Sequence, residues 1–204
     1  MIIVRTFCGG YDNNFSYLIY DESSHEAIII DTALDPQEII DFALMNGLAI
    51  RYAVVMHSHF DHAVKLEEYT KNNIPLLGSP LLPFLIDKRV NDNETILLGN
   101  TFLRFIAAPG HTPDCILLYG DGKLFTTDVL FINSCGRCDL QGGDREKMYE
   151  TLYTKILTLP DDTLIYPGHD YGPVPYDTLQ NQKRTNPFLT AKTKEEFLRG
   201  RMRL

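Results

Sequence analysis

Residues 57–62 read HSHFDH and follow the apolar run YAVVM, so one short segment carries three of the six histidines in the 204-residue chain. YAVVM predicts a buried strand. In an extended chain His57 and His59 point to the same face, because side chains alternate. Asp61 and His62 come after the chain has begun to turn, so they approach from another side. Such crowding of imidazoles and a carboxylate is costly without a cation, so this segment indicates a metal site at a strand end.

Three further residues with metal-binding chemistry follow apolar strands elsewhere in the sequence. FIAAPG precedes His111, LFTT precedes Asp128, and LIYPG precedes His169. Functional side chains concentrate where strands end in loops. Taken singly, each could be an ordinary polar residue, and Asp61 could cap the next helix. Together they predict one site. The sixth histidine, His25, lies in the polar turn DESSHEA and needs no function.

The ligand set exceeds what one ion takes comfortably from so short a loop, and it suits two ions about 3.5–4 Å apart. We assign the first ion to His57, His59 and His111, the second to Asp61, His62 and His169, and the bridging position to Asp128. Imidazole and carboxylate suit zinc, iron and manganese, and two divalent ions, with zinc preferred, are expected. Asp31, at the end of AIIID, is either an outer partner of a ligand histidine or a plain strand-end aspartate.

The rest of the chain alternates strand and helix patterns. Asp35, Pro36 and Glu38 predict the start of a helix that runs to about Met45. Further helices are predicted at about 63–71, at roughly 145–157 and in KEEFLRGRM. Short strands are predicted in IIVRTF, FSYLIY, AIIIDT, RYAVVM, PLLGS, ETILLG, TFLRFIAA, CILLYG, KLFTTD and TLIYP. This mixture implies helices that cover sheet faces, which is an α/β (α+β) layered fold.

Composition narrows the functional classes. A hydrophobic content of 44% supports a real core, and we expect a single domain over 1–204 with a short C-terminal tail from about 175. A net charge of −8 argues against broad binding to nucleic acid or anionic membranes. With no apolar run long enough for a transmembrane helix and no signal-peptide pattern, a cytoplasmic protein is expected. The partner is then a small-molecule substrate.

The four cysteines are too few and too scattered to form a disulfide scaffold. Cys135 and Cys138 form a C-x-x-C motif without a second such pair. A structural zinc site usually needs that second pair, and the glycine-rich CGRCDLQGGD does not read as a helix opening. We interpret the two cysteines as ordinary loop residues.

The combination HSHFDH, PGHTPD, TTDVLF and YPGHDY, in this order, resembles the metallo-β-lactamase fold superfamily. The resemblance runs from NNFSYLIYD to NPFLTAKTKEEF. It implies a four-layer αβ/βα sandwich with the metals at one edge between two sheets. The metal roles assigned above agree with the pattern of that family, residue by residue.

Within the superfamily the chain is similar to the glyoxalase II group, which hydrolyses glutathione thioesters. By that likeness Arg137, in CGRCDLQGGD, would contact the thiol carrier, and Tyr171 would help to hold it. The chain is also similar to persulfide dioxygenases, which the resemblance implies hold one iron at the positions of His57, His111 and Asp128. Two residues depart from the usual motifs. Thr127 replaces the glycine of T-G-D, and Cys138 replaces a threonine or aromatic residue.

The main expectation is therefore a metal-dependent hydrolase of the glyoxalase II type. A metal-bound hydroxide would attack the thioester, and Asp61 would be both a ligand and the catalytic group that orients this nucleophile. The alternative is a mononuclear-iron persulfide dioxygenase that acts on a low-molecular-weight thiol persulfide. A non-catalytic metal-binding module is disfavoured, because structural zinc sites favour cysteine-rich, closed coordination.

Overall fold

The computed structural model describes residues 1–199, and within them two six-stranded sheets form the centre of the fold. The strands of the first sheet are, in spatial order, β1 (Ile2–Gly9), β2 (Asn14–Asp21), β3 (Glu26–Ile30), β4 (Ala49–Val55), β5 (Leu76–Gly78) and β6 (Lys88–Arg89). Those of the second are β7 (Thr95–Leu98), β8 (Thr101–Ala107), β9 (Ile116–Gly120), β10 (Lys123–Thr127), β13 (Leu164–Pro167) and β14 (Asp177–Thr178). Two short strands, β11 (Leu130–Phe131) and β12 (Ser134–Cys135), form a separate hairpin. All ten predicted strands are present, whereas the two-residue strands were missed.

Helices cover the outer faces of the sheets. They are α1 (Pro36–Met45), α2 (Leu66–Lys71), α3 (Arg145–Glu150), α4 (Leu179–Thr185) and α5 (Lys194–Arg199), and α3 continues into a π-helical turn at Thr151–Ile156. The predicted start of α1 is confirmed, because the carboxylate of Asp35 accepts a hydrogen bond from the backbone N–H of Gln37 at 3.2 Å. The sequence did not predict α4. The helix predicted in KEEFLRGRM is present to Arg199, and the rest of that segment lies outside the described residues.

Side-chain alternation divides the core into three apolar layers. Ile28 and Ile30 of β3 point between the two sheets, where they pack in one cluster with Leu118 and Phe125 of the second sheet. The intervening Ile29 points outwards and packs with the helix α1. On the opposite side of the molecule, a third cluster joins the second sheet to α3, α4 and α5. Helix, sheet, sheet and helix are thus stacked, which confirms the predicted αβ/βα sandwich.

The strand directions bring the predicted site residues to one edge of the sandwich. Strands β3 and β4 are parallel, and so are β10 and β13. Strand β8 is antiparallel to β9, which is antiparallel to β10, so β8 and β10 run the same way. Backbone hydrogen bonds also join the sheets at this edge, from Phe15 N–H to the Gly168 carbonyl at 2.7 Å and from Ile116 N–H to the Met56 carbonyl at 2.9 Å.

The residues after position 175 contribute to the core. Leu179, Phe188 and Phe197 are buried in the cluster that lies beneath α3. Among residues 1–199 no helix is long and apolar enough to cross a lipid bilayer. The single-domain boundaries and the cytoplasmic location stay predictions.

Asn186 ties this C-terminal segment to the hairpin that follows Asp128. Its amide nitrogen donates to the carbonyls of Phe131 at 3.2 Å and Ser134 at 3.0 Å, and its side-chain oxygen accepts from Phe188 N–H at 3.0 Å. The side chain is fully buried. A buried polar group that loses its partner costs free energy, so this one residue contributes strongly to the position of β11 and β12.

We therefore expect Asn186→Ala to lower the free energy of unfolding by roughly 2–4 kcal/mol, because it leaves several buried backbone groups without partners. Urea denaturation measures the change. Gln180→Ala, at an exposed position of α4, is the control and should change stability by less than about 0.5 kcal/mol. An Asn186 variant as stable as the control would show that these hydrogen bonds do not hold the segment.

Candidate metal centre

The structure brings the seven predicted ligands together in two adjoining groups. The donor atoms within each group lie within 4.8 Å of one another. One group contains His57, His59, His111 and Asp128, and the other contains Asp61, His62 and His169. One carboxylate oxygen of Asp128 lies 3.2 Å from Nε2 of both His62 and His169, while the other lies 3.4 Å from Nε2 of His111. Asp128 therefore stands between the two groups, as the sequence predicts for a bridging residue.

Each ligand candidate owes its place to a strand end. His57 follows β4, Asp128 directly follows β10, and His169 follows β13. His57 and His62 are fully buried, whereas His59 and Asp61 are only half-buried. The site is therefore closed towards the core and open to solvent on the side of the HSHFDH turn.

The outer hydrogen bonds fix which imidazole nitrogen carries the proton. Nδ1 of His111 donates to the Arg137 carbonyl at 2.7 Å, and Nδ1 of His169 donates to the Asp12 carbonyl at 2.8 Å. Nδ1 of His62 donates to the carboxylate of Asp31 at 2.9 Å. Carbonyl and carboxylate oxygens only accept, so Nδ1 must hold the proton in each ring. In its neutral form each ring then directs an unprotonated Nε2 towards the centre.

This arrangement of donors fits a metal cation. The Nε2 atoms of His62 and His169 lie 3.0 Å apart, where two lone pairs repel each other. Nε2 of His57 and one carboxylate oxygen of Asp128 are buried without a hydrogen-bond partner among the described residues. Buried polar atoms normally have partners. A cation that accepts these lone pairs would satisfy all of them, and outer hydrogen bonds of this kind are typical of metal-binding histidines.

The pKa directions agree with this electrostatic pattern. Burial and the neighbouring His62 hold the pKa of His57 well below its ordinary value, so His57 stays neutral. At His62 burial opposes protonation, but Asp31 and Asp128 outweigh it and raise the pKa well above the ordinary value. At Asp128 the desolvation is outweighed by the neighbouring imidazoles of His62 and His169, and the pKa lies well below the usual range. Without a cation, the centre therefore favours a proton on His62 beside an ionised Asp128, and a bound cation would take the place of that proton.

Asp31 lies behind the histidines, where it binds His62 directly and is linked to His57 through Thr127. It is buried, and its second carboxylate oxygen accepts a hydrogen bond from the hydroxyl of Thr127 at 2.7 Å. The same hydroxyl lies 3.1 Å from Nδ1 of His57. Of the two readings of Asp31 in the sequence, this geometry favours the outer partner of ligand histidines. Sequence reasoning noted Thr127 as a departure from the usual motif but gave it no role.

Sequence reasoning missed Asn14 altogether. This residue is fully buried, its amide donates to the carboxylate of Asp61 at 3.1 Å, and it lies 3.3 Å from Nε2 of His62. It also forms a β-bridge with His169. In sequence it belongs to the polar pair Asn13-Asn14, which reads as a plain turn. Only its contact with a segment distant in the chain distinguishes it.

Two glycines allow the backbone to approach Asp128 closely. A Cβ atom on Gly136, in the CGR segment, would lie 1.8 Å from the carbonyl oxygen of Asp128. A Cβ atom on Gly168 would lie 2.5 Å from the Asp128 carboxylate and 3.1 Å from the His62 ring. The two distances to Asp128, 1.8 and 2.5 Å, are far below van der Waals contact. The GR and PGH motifs therefore carry glycine because Asp128 leaves no room for a side chain at either position.

The two predicted substrate contacts lie beside the site and have partners of their own. The exposed guanidinium of Arg137 makes two hydrogen bonds of 2.7 Å with Asp139. The ring of Tyr171 stacks on His169 with centroids 4.6 Å apart, and its hydroxyl donates to the Asp12 carboxylate. Their roles towards a substrate stay predictions. Cys138 is a buried thiol, and desolvation raises its pKa to about 12, in agreement with a structural role in the loop.

Comparisons with known proteins agree with the fold. The family model of the metallo-beta-lactamase superfamily matches residues 64–169. Human persulfide dioxygenase ETHE1, a mitochondrial protein, is 34% identical to this chain over 97% of it and 80% of the relative. The crystal structure of ETHE1 from Myxococcus xanthus superimposes with a TM-score of 0.90 at 29% identity, covering 99% of this chain and 92% of that one.

A hydroxyacylglutathione hydrolase from Dictyostelium discoideum is also 34% identical, but that alignment covers 78% of this chain and 63% of the relative. The likeness to persulfide dioxygenases thus extends over nearly the whole chain, whereas the likeness to this hydrolase covers about three quarters of it. The expectation that this chain is chiefly a glyoxalase II-type thioester hydrolase is therefore wrong. The expectation failed because both activities use the same histidine and aspartate motifs, on which it depended.

Because Gly168 lies so close to Asp128, a substitution at Gly168 tests the predicted metal site without replacing any of the seven ligand candidates. We expect Gly168→Ala to displace the Asp128 carboxylate and to weaken metal binding by roughly tenfold or more, as disturbance of a ligand's surroundings usually does. Chelator competition on metal-depleted protein measures this change. Gly9→Ala is the control, since its Cβ would make an ordinary 3.6 Å contact with Leu34. Equal affinities in the two variants would contradict the arrangement described here.

Proposed function

Because this chain belongs to the metallo-beta-lactamase superfamily, we propose that it is a mononuclear-iron dioxygenase that oxidises a low-molecular-weight thiol persulfide. One observation carries the proposal, namely the similarity to persulfide dioxygenases across 97% of this chain and 80% of the human relative. The match of the whole backbone to ETHE1 from Myxococcus xanthus supports it.

The ligand chemistry of the first group suits this role. We propose that His57, His111 and Asp128 hold the iron, because two histidines and one carboxylate with open positions are the ligand set of non-haem iron oxygenases. Nε2 of His57, for which residues 1–199 provide no hydrogen-bond partner, favours this group. In the second group, by contrast, Nε2 of His62 already has the Asn14 amide at 3.3 Å. His59, Asp61, His62 and His169 remain proposed ligands of any further ion.

The chemistry of the proposed reaction balances with oxygen and water as co-reactants. Both atoms of O2 are transferred to the outer sulfur of the persulfide R–S–SH, and water then cleaves the S–S bond. The products are the thiol R–SH, sulfite and two protons. Bound iron would supply the electron exchange with oxygen that none of the protein side chains can provide.

The residues of this chain would hold and orient the reactants. The outer hydrogen bonds of His57 and His111 keep each Nε2 directed at the centre. The half-buried His59 and Asp61 leave one side of the site accessible, and a substrate would enter from there. In this proposal Asp61 has no thioester-attacking hydroxide to orient. Arg137 could bind an anionic part of the thiol carrier only after exchanging its pairing with Asp139, and Tyr171 presents its half-exposed ring beside His169.

The reaction type is tested by metal analysis and oxygen uptake. Protein purified without added metal should contain about one iron per chain, in keeping with a single two-histidine, one-carboxylate site. Addition of glutathione persulfide should consume oxygen and release sulfite in equal amounts. Protein that holds two zinc ions and consumes no oxygen with any thiol persulfide would rule the proposal out.

The ligand assignment is tested by single substitutions measured for iron content. We expect His57→Ala and His111→Ala to lose iron and oxygen uptake together, because each removes one of three proposed ligands. His62→Ala should retain most of the iron. His25→Asn is the control, because His25 lies in an exposed turn with a positive φ angle that asparagine tolerates. Full iron content in His57→Ala would disprove the assignment.

A further inference from the structure

We propose that Thr127 is a positioning residue, whose hydroxyl fixes the tautomer and orientation of His57 and links that ring to Asp31. The inference rests on the proposed role of His57 as a metal ligand. It concerns the residue of this chain that replaces the glycine of the T-G-D motif. The Nδ1 hydrogen bonds of His62, His111 and His169 involve other acceptors and do not require a threonine at position 127.

The direction of each hydrogen bond follows from the donors present. The carboxylate of Asp31 has no proton to donate, so the Thr127 hydroxyl donates to it at 2.7 Å. The hydroxyl oxygen then accepts from Nδ1 of His57 at 3.1 Å. His57 must therefore carry its proton on Nδ1 and expose an unprotonated Nε2. That Nε2 is the buried nitrogen for which the described residues provide no partner.

His57 differs from the other buried histidines in how its Nδ1 is held. His111 and His169 donate to backbone carbonyls, and His62 donates to Asp31 directly. At His57 the acceptor is a side-chain hydroxyl. A glycine at position 127 would leave Nδ1 of His57 without this acceptor, so the orientation of this ring depends on a residue outside the usual motif.

The backbone at Thr127 supports a role for its side chain. Its φ angle is +40°, in the left-handed region that a β-branched residue rarely adopts. Glycine adopts this conformation without strain. A strained residue persists where its surroundings hold it in place. Here the side chain is buried and hydrogen-bonded on both sides, which offsets the unfavourable backbone.

The network also couples the two ligand groups. Asp31 binds His62 with one carboxylate oxygen and, through Thr127, His57 with the other. One buried carboxylate thus orients one histidine from each group. Removal of the threonine hydroxyl should release His57 and break this link, while the direct bond from His62 to Asp31 remains.

The test compares Thr127→Val with Thr127→Ser in metal-depleted protein. Valine keeps the shape and β-branching but lacks the hydroxyl, whereas serine keeps the hydroxyl. We expect Thr127→Val to weaken Fe(II) and Zn(II) binding, measured by chelator competition, by roughly 10- to 100-fold, the usual loss for an outer partner of a metal ligand. Thr127→Ser should restore the affinity to within about threefold of the unaltered protein.

Nitrogen-15 NMR of the His57 ring supplies a readout that a merely structural role would not change. In Thr127→Val the ring should shift towards the form that is protonated on Nε2, while Thr127→Ser keeps the proton on Nδ1. Thr126→Val is the matched control. Thr126 is also buried, but its hydroxyl bonds to the carbonyls of Leu130 at 2.7 Å and Tyr166 at 3.2 Å, and within the described part of the chain it makes no hydrogen bond with a histidine. The Thr126→Val variant should be less stable, without a change in the tautomer of His57 or in metal affinity.

The outcomes separate this inference from the proposed function. If Thr127→Val binds metal as tightly as the unaltered protein while His57→Ala does not, the role of Thr127 is refuted and the ligand assignment stands. If neither substitution changes metal binding, the ligand assignment itself fails. Equal losses of affinity in Thr127→Val and Thr126→Val, with no tautomer change, would reduce Thr127 to a packing residue.

Discussion

Unprotonated imidazole nitrogens and carboxylate oxygens converge on one buried region, and such an arrangement is unfavourable unless a cation lies among them. Much of the surrounding structure allows these donor atoms to converge. Backbone carbonyls and Asp31 hold the Nδ1 protons outwards, so that Nε2 atoms face inwards. Gly136 and Gly168 let neighbouring backbone approach Asp128. The parallel directions of β3 with β4 and of β10 with β13 deliver the ligands to the same edge.

The same constraint explains why the ligand motifs identify the fold and leave the reaction undecided. A set of five histidines and two aspartates satisfies the electrostatics of hydrolytic and oxidative metal sites alike. The choice between them depends on how many ions bind and on what surrounds the open positions. The similarity to persulfide dioxygenases, which spans nearly the full chain, carries information about those surroundings that the short motifs lack.

Thr127, which departs from the usual motif, combines an unfavourable backbone conformation with a favourable hydrogen bond to His57. Glycine would avoid the backbone strain at a φ of +40°, but it would offer no acceptor to His57. This chain accepts the strained backbone and gains a hydrogen-bonded connection from Asp31 to both ligand groups. The hydrogen bonds that orient the buried His57 ring thus offset the backbone strain at Thr127.

The sequence by itself determined the main strands, the start of α1, the layered fold and the seven ligand candidates. These depend on local patterns, namely apolar runs, capping residues and polar residues at strand ends. The sequence could not assign roles to Asn14 and Thr127, or reveal that Arg137 pairs with Asp139. Asn14 contacts Asp61, and Thr127 contacts Asp31, only because distant segments meet at one edge of the sandwich. Only the tertiary structure decides such contacts, because a polar residue in a turn has the same local pattern whether it faces solvent or a buried ligand.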